Sequence, residues 1–367
     1  MELLFAESSI KGWGTEQHFA ALAIAMARRA HGVRCLMSAG SPLEAVLRAA
    51  RVPVIVTKLR GGTDPRMLAL LYRLALQRRP DWLVTNDGKF YWPLILIARL
   101  SGARTALFRH WEDMPKSKLT RSYVPRLADR FILVSQFQRE HLRQQGIDVA
   151  RMPILYNPID TERLSPSAEA RARVRTALGL KDAHVAIGYV GRMVSIKGVF
   201  TLFEAAERVL AEAPETRMLW VGDGADLPAL RARVERSASG ARHIFSSWSA
   251  DVRGIYAALD VAAVPSIYPD PCPRVPVEAQ ACGTAVVCSD AGGLPETFAP
   301  GVSGLLTREG DADGLAAALL ELVHDPQRRA SMALAGREFA NAKFSFAHIA
   351  QDFEALLADE RYAASAG

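Results

Sequence analysis

The sequence predicts an α/β fold of two Rossmann-like domains, each a parallel sheet with helices on both faces. Three observations carry the prediction. Short apolar runs alternate with segments of helical spacing along most of the chain, which is the pattern of βαβ units. The alternation pauses near Tyr156–Asp160, crosses a polar stretch containing Ser165, Pro166 and Ser167, and restarts at His184–Val190. The length of 367 residues suits two domains, and a hydrophobic content of 50% suffices for two cores.

Taken in order, Met1–Phe5 is a short apolar start. Phe19, Leu22, Ala23 and Met26 fall at i, i+3, i+4 and i+7, which is helical spacing. Gly32 stands where that helix would stop. Strands are predicted at Val33–Met37, Val52–Val56, Trp82–Thr85, Thr105–Phe108 and Phe131–Ser135. The run Trp92–Leu100 contains Arg99 and is too short to span a bilayer, so it reads as a buried helix. A linker is placed between about residues 158 and 180. Further strands follow at His184–Val190, Met218–Val221, Arg242–Phe245, Val261–Val264 and Ala285–Cys288. Phe346, Ile349, Phe353 and Leu357 mark a last helix. The resulting division is 1–165, 166–344 and a terminal helical segment 345–367. Two such domains imply a cleft between them.

The start, Met1 to Ser9, is short, carries Glu2 and Glu7 and lacks a basic n-region, so it does not read as a signal peptide. Cys35, Cys272, Cys282 and Cys288 form no C-x-x-C pair and no zinc spacing. Few cysteines in a large chain fit a reducing cytosol with free thiols packed near the core. Charge is uneven: residues 1–165 hold 25 Lys+Arg against 14 Asp+Glu, a net of +11, and the remainder holds 20 against 25, a net of −5, which together give the overall +6. Either the first half meets an anionic partner or its cations are scattered over a solvated surface. The basic residues lack an RNA-binding or DNA-binding motif, so nucleic acid is not expected as a partner.

Gly222-Asp223-Gly224 follows an apolar run but lacks the third glycine of a dinucleotide fingerprint, so a tight turn is the expected role. Asp311-Ala312-Asp313 spells D-x-D just before the helical run Leu315–Val323. Helix capping is expected there, not a divalent metal. P-loop, zinc-protease and serine-hydrolase motifs are absent.

Four segments carry candidate chemistry. Gly12-Trp13-Gly14-Thr15-Glu16 lies between the first strand and first helix, where small residues would let backbone N–H groups approach a phosphate. Gly191-Arg192-Met193-Val194-Ser195-Ile196-Lys197-Gly198 follows the first strand of the second domain. Two cations at such a turn suit a diphosphate. Asp270 and Glu278 frame a Pro-rich loop and a helix start, and a carboxylate can accept from vicinal hydroxyls. His110, in Arg109-His110-Trp111-Glu112, follows the strand Thr105–Phe108, near the strand end where ligands bind in parallel sheets; an ordinary hydrogen-bonded histidine is the plainer alternative.

Together these segments resemble glycosyltransferase family four, the retaining "group 1" enzymes of GT-B architecture. Arg192-x₄-Lys197 is similar to the family's diphosphate clamp and Asp270-x₇-Glu278 to its E-x₇-E motif. Ala281–Val287, Asp290–Glu296 and Asn157-Pro158-Ile159-Asp160 match further family segments in order. The resemblance implies two Rossmann-like domains facing across a deep cleft, the first for acceptor and the second for donor, with the last helix packing back on the first domain. It implies transfer of a sugar, with retention, from a UDP- or GDP-sugar to a glycan or lipid-linked acceptor in cell-surface polysaccharide or glycolipid synthesis.

By the same resemblance Arg192 and Lys197 neutralise the leaving diphosphate without a metal or other cofactor. Glu278 holds the ribose and Asp270 contacts the transferred sugar. Gly191 and the backbone of Arg274 and Val275 orient the donor, Gly14 lets its loop approach the reaction centre, and His110 contacts the donor sugar. The implied location is cytoplasmic, with the basic first half placed at an anionic inner membrane face. Asp270 is one methylene shorter than the usual Glu, Pro273 replaces a glycine and loses its N–H, and Trp13 replaces the first Gly of a pair. These departures bear on the sugar end of the donor. They keep open a silent nucleotide-sugar-binding scaffold, and an epimerase of the same architecture stands as a further alternative.

Overall fold

The computed structural model describes residues 1–12, 14–58, 64–247 and 252–359. Trp13 lies outside the described residues. The chain forms two compact units. Unit 1 comprises Met1–Pro158 and the segment from Phe346 onward, and unit 2 comprises Ile159–Ser345.

Unit 1 alternates β1 (Glu2–Glu7), α1 (Gly14–Arg28), β2 (Gly32–Ser38), α2 (Leu43–Ala49), β3 (Val54–Thr57), α3 (Pro65–Arg78) and β4 (Trp82–Thr85). It continues with α4 (Tyr91–Ser101), β5 (Arg104–Arg109), α5 (Lys118–Leu127), β6 (Arg130–Leu133) and α6 (Gln136–Gln144). All its strands pair in parallel, in the order β3-β2-β1-β4-β5-β6. Strand order reverses between β1 and β4, so loops leaving those strands diverge and open a crevice at their carboxyl ends.

Unit 2 contains α7 (Ala168–Ala177), β7 (Val185–Val190), α8 (Val199–Glu212), β8 (Thr216–Val221), α9 (Leu227–Glu235), β9 (His243–Ser246) and α10 (Val252–Ala258). It is completed by β10 (Val261–Val264), α11 (Val275–Ala281), β11 (Ala285–Ser289), β12 (Gly304–Thr307), α12 (Ala312–His324) and α13 (Pro326–Phe344). Its parallel sheet runs β12-β11-β10-β7-β8-β9. The reversal here falls between β7 and β10.

The chain then returns to unit 1 as α14 (Phe346–Ala358). Ile349, Ala350, Phe353 and Leu357 are fully buried in the core that α1 and α2 share with β1 and β2. Burying each of the larger three contributes roughly 1.5–3 kcal/mol. The end of α14 is held by Arg130, 2% exposed, whose guanidinium donates to the carbonyls of Leu356 (2.6 Å), Leu357 (3.2 Å) and Asp359 (2.5 Å). Those carbonyls lack helical partners, and a cation at a helix C-terminus is favoured by the dipole. The opposite face of the unit 1 sheet is covered by α3, α4 and α5.

Every strand expected from the apolar runs is present, and β12 adds one that the pattern did not mark. The stretch 158–180 is not a plain connection. Ser167 caps α7 by accepting from Ala170 N, and α7 packs on α10. The helix expected at Trp92–Leu100 forms, but it is not wholly buried: Trp92, Leu96 and Leu100 are 37%, 54% and 60% exposed. Their i, i+4, i+8 spacing puts them on one stripe. All four cysteines are free and buried. Asp311 Oδ1 accepts from Gly314 N at 2.9 Å, capping α12.

Candidate functional site

In unit 2 two sequence motifs meet at the reversal of strand order. The segment Gly191–Gly198 leaves β7, and Asp270–Glu278 ends the loop that leaves β10. Both therefore lie at the carboxyl edge of neighbouring strands, where open α/β sheets bind ligands.

The first loop is fixed by its own backbone. Gly191 has φ 154°, a conformation that L side chains rarely adopt. Tyr189 OH donates to the Arg192 carbonyl at 2.6 Å, and Ser195 N donates to Asp226 Oδ2 at 2.5 Å. A Cβ on Gly224 would stand 2.3 Å from the Met193 carbonyl oxygen, and one on Gly222 would stand 2.0 Å from that of Gly191. The G-x-G after β8 is thus more than a turn: its lack of side chains lets it back directly onto the loop that carries Arg192. The loop ends at Gly198, φ 73°, where a Cβ would meet the Pro265 carbonyl oxygen at 1.8 Å.

Lys197 Nζ donates to Asp270 Oδ2 at 3.0 Å and lies 5.7 Å from the centre of the Tyr268 ring. Asp270 Oδ1 accepts from Cys272 N, and the Asp270 carbonyl accepts from Gly293 N. Arg274 Nε donates to Glu278 Oε1 and Tyr256 OH to Glu278 Oε2, each at 3.1 Å. Glu278 sits in the first turn of α11, where its charge is favoured by the dipole. Burial and the neighbouring Glu278 carboxylate push the Tyr256 phenol far above its ordinary range, so it stays a donor. Val275 begins α11. Gly191, Arg192, Lys197, Asp270, Arg274, Val275 and Glu278 are therefore brought to one edge. The edge offers cations for phosphate oxygens and carboxylates for hydroxyls. Among the described residues, no group of three or more His, Cys, Asp or Glu could hold a metal ion.

Gly14 and His110 belong to unit 1. Gly14 opens α1, and a Cβ there would meet nothing within 4 Å. His110 follows β5; its ring lies edge-on to His18 at 4.4 Å and stacks on Phe108 at 6.2 Å. Burial, with Arg109 adding to it, lowers its pKa to about 3, so the imidazole is neutral at pH 7. Its Nε2 is buried with no hydrogen-bond partner among the described residues.

Three carboxylates gather at the unit 1 reversal; sequence reasoning missed Glu7 and Asp87 and marked Glu16 only as the end of the Gly12-Trp13-Gly14-Thr15-Glu16 segment. Glu7 ends β1, Glu16 lies in the first turn of α1, and Asp87 follows β4. Glu7 Oε1 accepts from Ser9 N at 2.8 Å, while Asp87 Oδ2 accepts from the Ser8 hydroxyl. Desolvation, reinforced by Asp87 and Glu16, raises the Glu7 carboxyl to about 8. The Glu16 Oε2 and Asn86 Oδ1 atoms are buried without a partner among the described residues. Glu7 and Asp87 stand just beyond the predicted strands Met1–Phe5 and Trp82–Thr85, so position relative to strand ends was the available signal. An open cavity of about 640 Å³ lies beyond β5, lined by Arg109, Glu112, Met114, Lys116 and Arg121 among others.

Comparison with known proteins matches one family model to each half of the chain. Residues 171–339 match the model for "Glycosyl transferases group 1" and residues 13–163 that for "Glycosyltransferase Family 4". The chain is 30% identical over 266 residues to the GDP-mannose-dependent alpha-(1-6)-phosphatidylinositol monomannoside mannosyltransferase of Mycolicibacterium smegmatis, covering 68% of this chain and 69% of the relative. It is 28% identical over 257 residues to the Corynebacterium glutamicum enzyme named for the monoacylated form of that acceptor, covering 68% and 67%. Among solved structures, Anabaena HepE in complex with UDP-glucose superposes with a TM-score of 0.82 at 25% identity, covering 97% of this chain and 99% of that one. A Rickettsia africae glycosyltransferase superposes with a TM-score of 0.85 at 18% identity, covering 98% of each chain.

Proposed function

The chain belongs to glycosyltransferase family 4, and from that premise we propose that it transfers a hexosyl group, with retention, from a UDP- or GDP-sugar to a glycan or lipid-linked acceptor. The observation that carries the reading is the meeting of Arg192, Lys197, Asp270 and Glu278 at the unit 2 strand reversal. Relatives named for GDP-mannose and for phosphatidylinositol mannosides support a nucleotide-sugar donor and a glycolipid acceptor.

In this reading Arg192 and Lys197 neutralise the departing diphosphate, supplying charge that a divalent cation provides in other transferases. Glu278, held by Tyr256 and Arg274, accepts from the ribose hydroxyls. Asp270 contacts the transferred sugar, and Lys197 sets its orientation. Backbone groups at Gly191, Arg274 and Val275 orient the donor, and Gly14 and His110 act from unit 1. A neutral His110 can donate or accept one hydrogen bond at a sugar hydroxyl without adding charge. Departure of the diphosphate leaves an oxocarbenium-like sugar, which the acceptor hydroxyl attacks on the same face while its proton passes to the departing phosphate oxygen. Positioning and electrostatic stabilisation supply most of the rate. We place the activity in cell-surface glycolipid or polysaccharide synthesis at the cytoplasmic face of a membrane.

The test is a thermal-shift screen against UDP, GDP, ADP and their sugar conjugates, with and without EDTA, followed by NMR of the product anomer. A ligand of the folded state raises the melting temperature by mass action. Stabilisation by one diphosphate that survives EDTA, and a product with the donor's anomeric configuration, are expected. No shift at millimolar concentration, or an inverted product, overturns the reading.

A further inference from the structure

The layer formed by α3, α4 and α5 contains no Asp or Glu within any of the three helices. Basic residues are present in all of them. Arg66, Arg73 and Arg78 stand on α3, and Arg99 on α4. Lys118, Arg121 and Arg126 stand on α5. Every one of these cations is exposed. The other layer of the same sheet differs: α1, α2 and α14 carry Glu16, Glu44, Asp352 and Glu354 among their cations. The positive excess of the first half is thus concentrated in a particular layer, not spread over the unit.

Large apolar side chains lie exposed among these cations. Trp92, Leu96 and Leu100 form the outer stripe of α4, and Leu119 and Tyr123 sit one turn apart on α5, 60% and 49% exposed. Tyr72 and Leu76 repeat the spacing on α3. The helices are neighbours: α3 packs on α4, and Trp92 Nε1 donates to Thr120 Oγ1 of α5 at 3.1 Å. The inner positions of these helices, Leu71, Leu94 and Val124 among them, are spent on the core, and the outer side chains are exposed with no covering layer among the described residues.

We propose that the outer face of α3, α4 and α5 docks on an anionic lipid bilayer. Cations interleaved with Leu, Trp and Tyr suit the interface between headgroups and acyl chains, where both kinds of side chain find their environment. Long Arg and Lys stems can lie along apolar surface and keep their charge at the phosphates. Nucleic acid would satisfy the cations but offers nothing for Leu96, Leu100 and Leu119. Arg121 of α5 also lines the cavity beyond β5. This inference rests on the reading of a lipid-linked acceptor and deepens it, since it specifies the surface by which such an acceptor is reached.

The test is flotation of the full chain with vesicles of pure phosphatidylcholine and of phosphatidylcholine with 30 mol% phosphatidylglycerol. Binding is expected only to the second, with release at 0.5 M salt. Arg73→Ser with Arg99→Ser should weaken partitioning about 25-fold, from roughly fivefold per cation at such a surface. Leu96→Asp with Leu119→Asp should abolish it, while the thermal shift given by the nucleoside diphosphate stays as in the parent. Failure of the parent chain to float with anionic vesicles overturns the proposal, as does unchanged binding by the Leu96/Leu119 variant. A dimer that the same variant dissolves, without vesicle binding, assigns the face to a second copy instead. Neither vesicle result depends on donor binding, so failure here and failure of the donor reading are separately visible.

Discussion

Lys197 Nζ lies 3.0 Å from Asp270 Oδ2, so the loop leaving β7 and the loop leaving β10 are joined by a charge pair across the reversal of strand order. The same ammonium that faces a diphosphate in the proposed reaction also orients the carboxylate assigned to the sugar. Replacing Lys197 by Ala should therefore weaken nucleoside diphosphate binding about 10- to 100-fold, the range for losing a hydrogen bond to a charged group. Titration calorimetry with the preferred diphosphate checks this, and an unchanged dissociation constant would remove Lys197 from the clamp.

Asp270→Asn keeps the shape of the side chain and removes its charge. Diphosphate affinity should hold or rise, because Lys197 no longer shares its charge with a carboxylate. Transfer should fall by about 100-fold, as for a lost positioning group near the reacting centre. Asp270→Glu, which restores the longer family side chain, should retain transfer. Equal loss of diphosphate affinity and turnover in Asp270→Asn would contradict the separate assignment of sugar and phosphate ends.

Gly293 allows the approach that holds the Asp270 loop. A Cβ at this position would stand 1.9 Å from the Pro271 carbonyl oxygen, while Gly293 N donates to the Asp270 carbonyl. Gly293→Ala must push that loop outward, at a cost of about 1–3 kcal/mol for overpacking. A lowered melting temperature with weaker donor binding is the expected pair of results. Full stability with full affinity would show that the loop shifts freely.

The Glu7 carboxyl has a definite pH signature. Its pKa is raised from 4.5 to about 8, chiefly by desolvation, so the folded state keeps a proton that the unfolded chain releases above about pH 4.5. Stability should decline as pH rises from there, with the loss levelling off above about pH 8. The full effect is on the order of 5 kcal/mol at 1.36 kcal/mol per unit. Glu7→Gln removes the ionisation, so its melting temperature should gain on the parent steadily between pH 5 and pH 8.5. Parallel pH profiles would show that Glu7 ionises without cost.

The packing of α14 predicts a large stability effect far from the motifs. Phe353 is 0% exposed and its ring lies 5.7 Å from that of Phe108. Phe353→Ala should cost about 3–5 kcal/mol, read by denaturant unfolding. A cost under 1 kcal/mol would mean that α14 does not complete the unit 1 core.

Much of this architecture was legible because buried parallel strands leave short apolar runs. Trp82–Thr85 and Val261–Val264 were readable to the residue. β12 escaped because Gly304–Thr307 is an edge strand with Leu306 exposed, so its burial pattern is incomplete. Arg192, Lys197, Asp270 and Glu278 were legible as motifs because short spacings fix their chemistry. Glu7 and Asp87 were not, because only the strand order brings β1 beside β4 and so gathers residues distant in sequence. The role of Gly222 and Gly224 was hidden for the same reason, since their partners are the backbone of Gly191 and Met193. The exposed stripe of α4 could not be separated from its buried side, because the helix is apolar on both.

Because α14 follows unit 2 in the chain yet belongs to unit 1, unit 2 is in effect an insertion within unit 1. On the ribosome the order of completion therefore inverts the order of beginning. Unit 2 has all its residues once Ser345 has emerged, while the groove lined by Leu22, Met26 and Phe108 still waits for Phe353. Unit 1 therefore keeps apolar side chains uncovered throughout the synthesis of unit 2, and a nascent chain stopped before α14 is expected to aggregate.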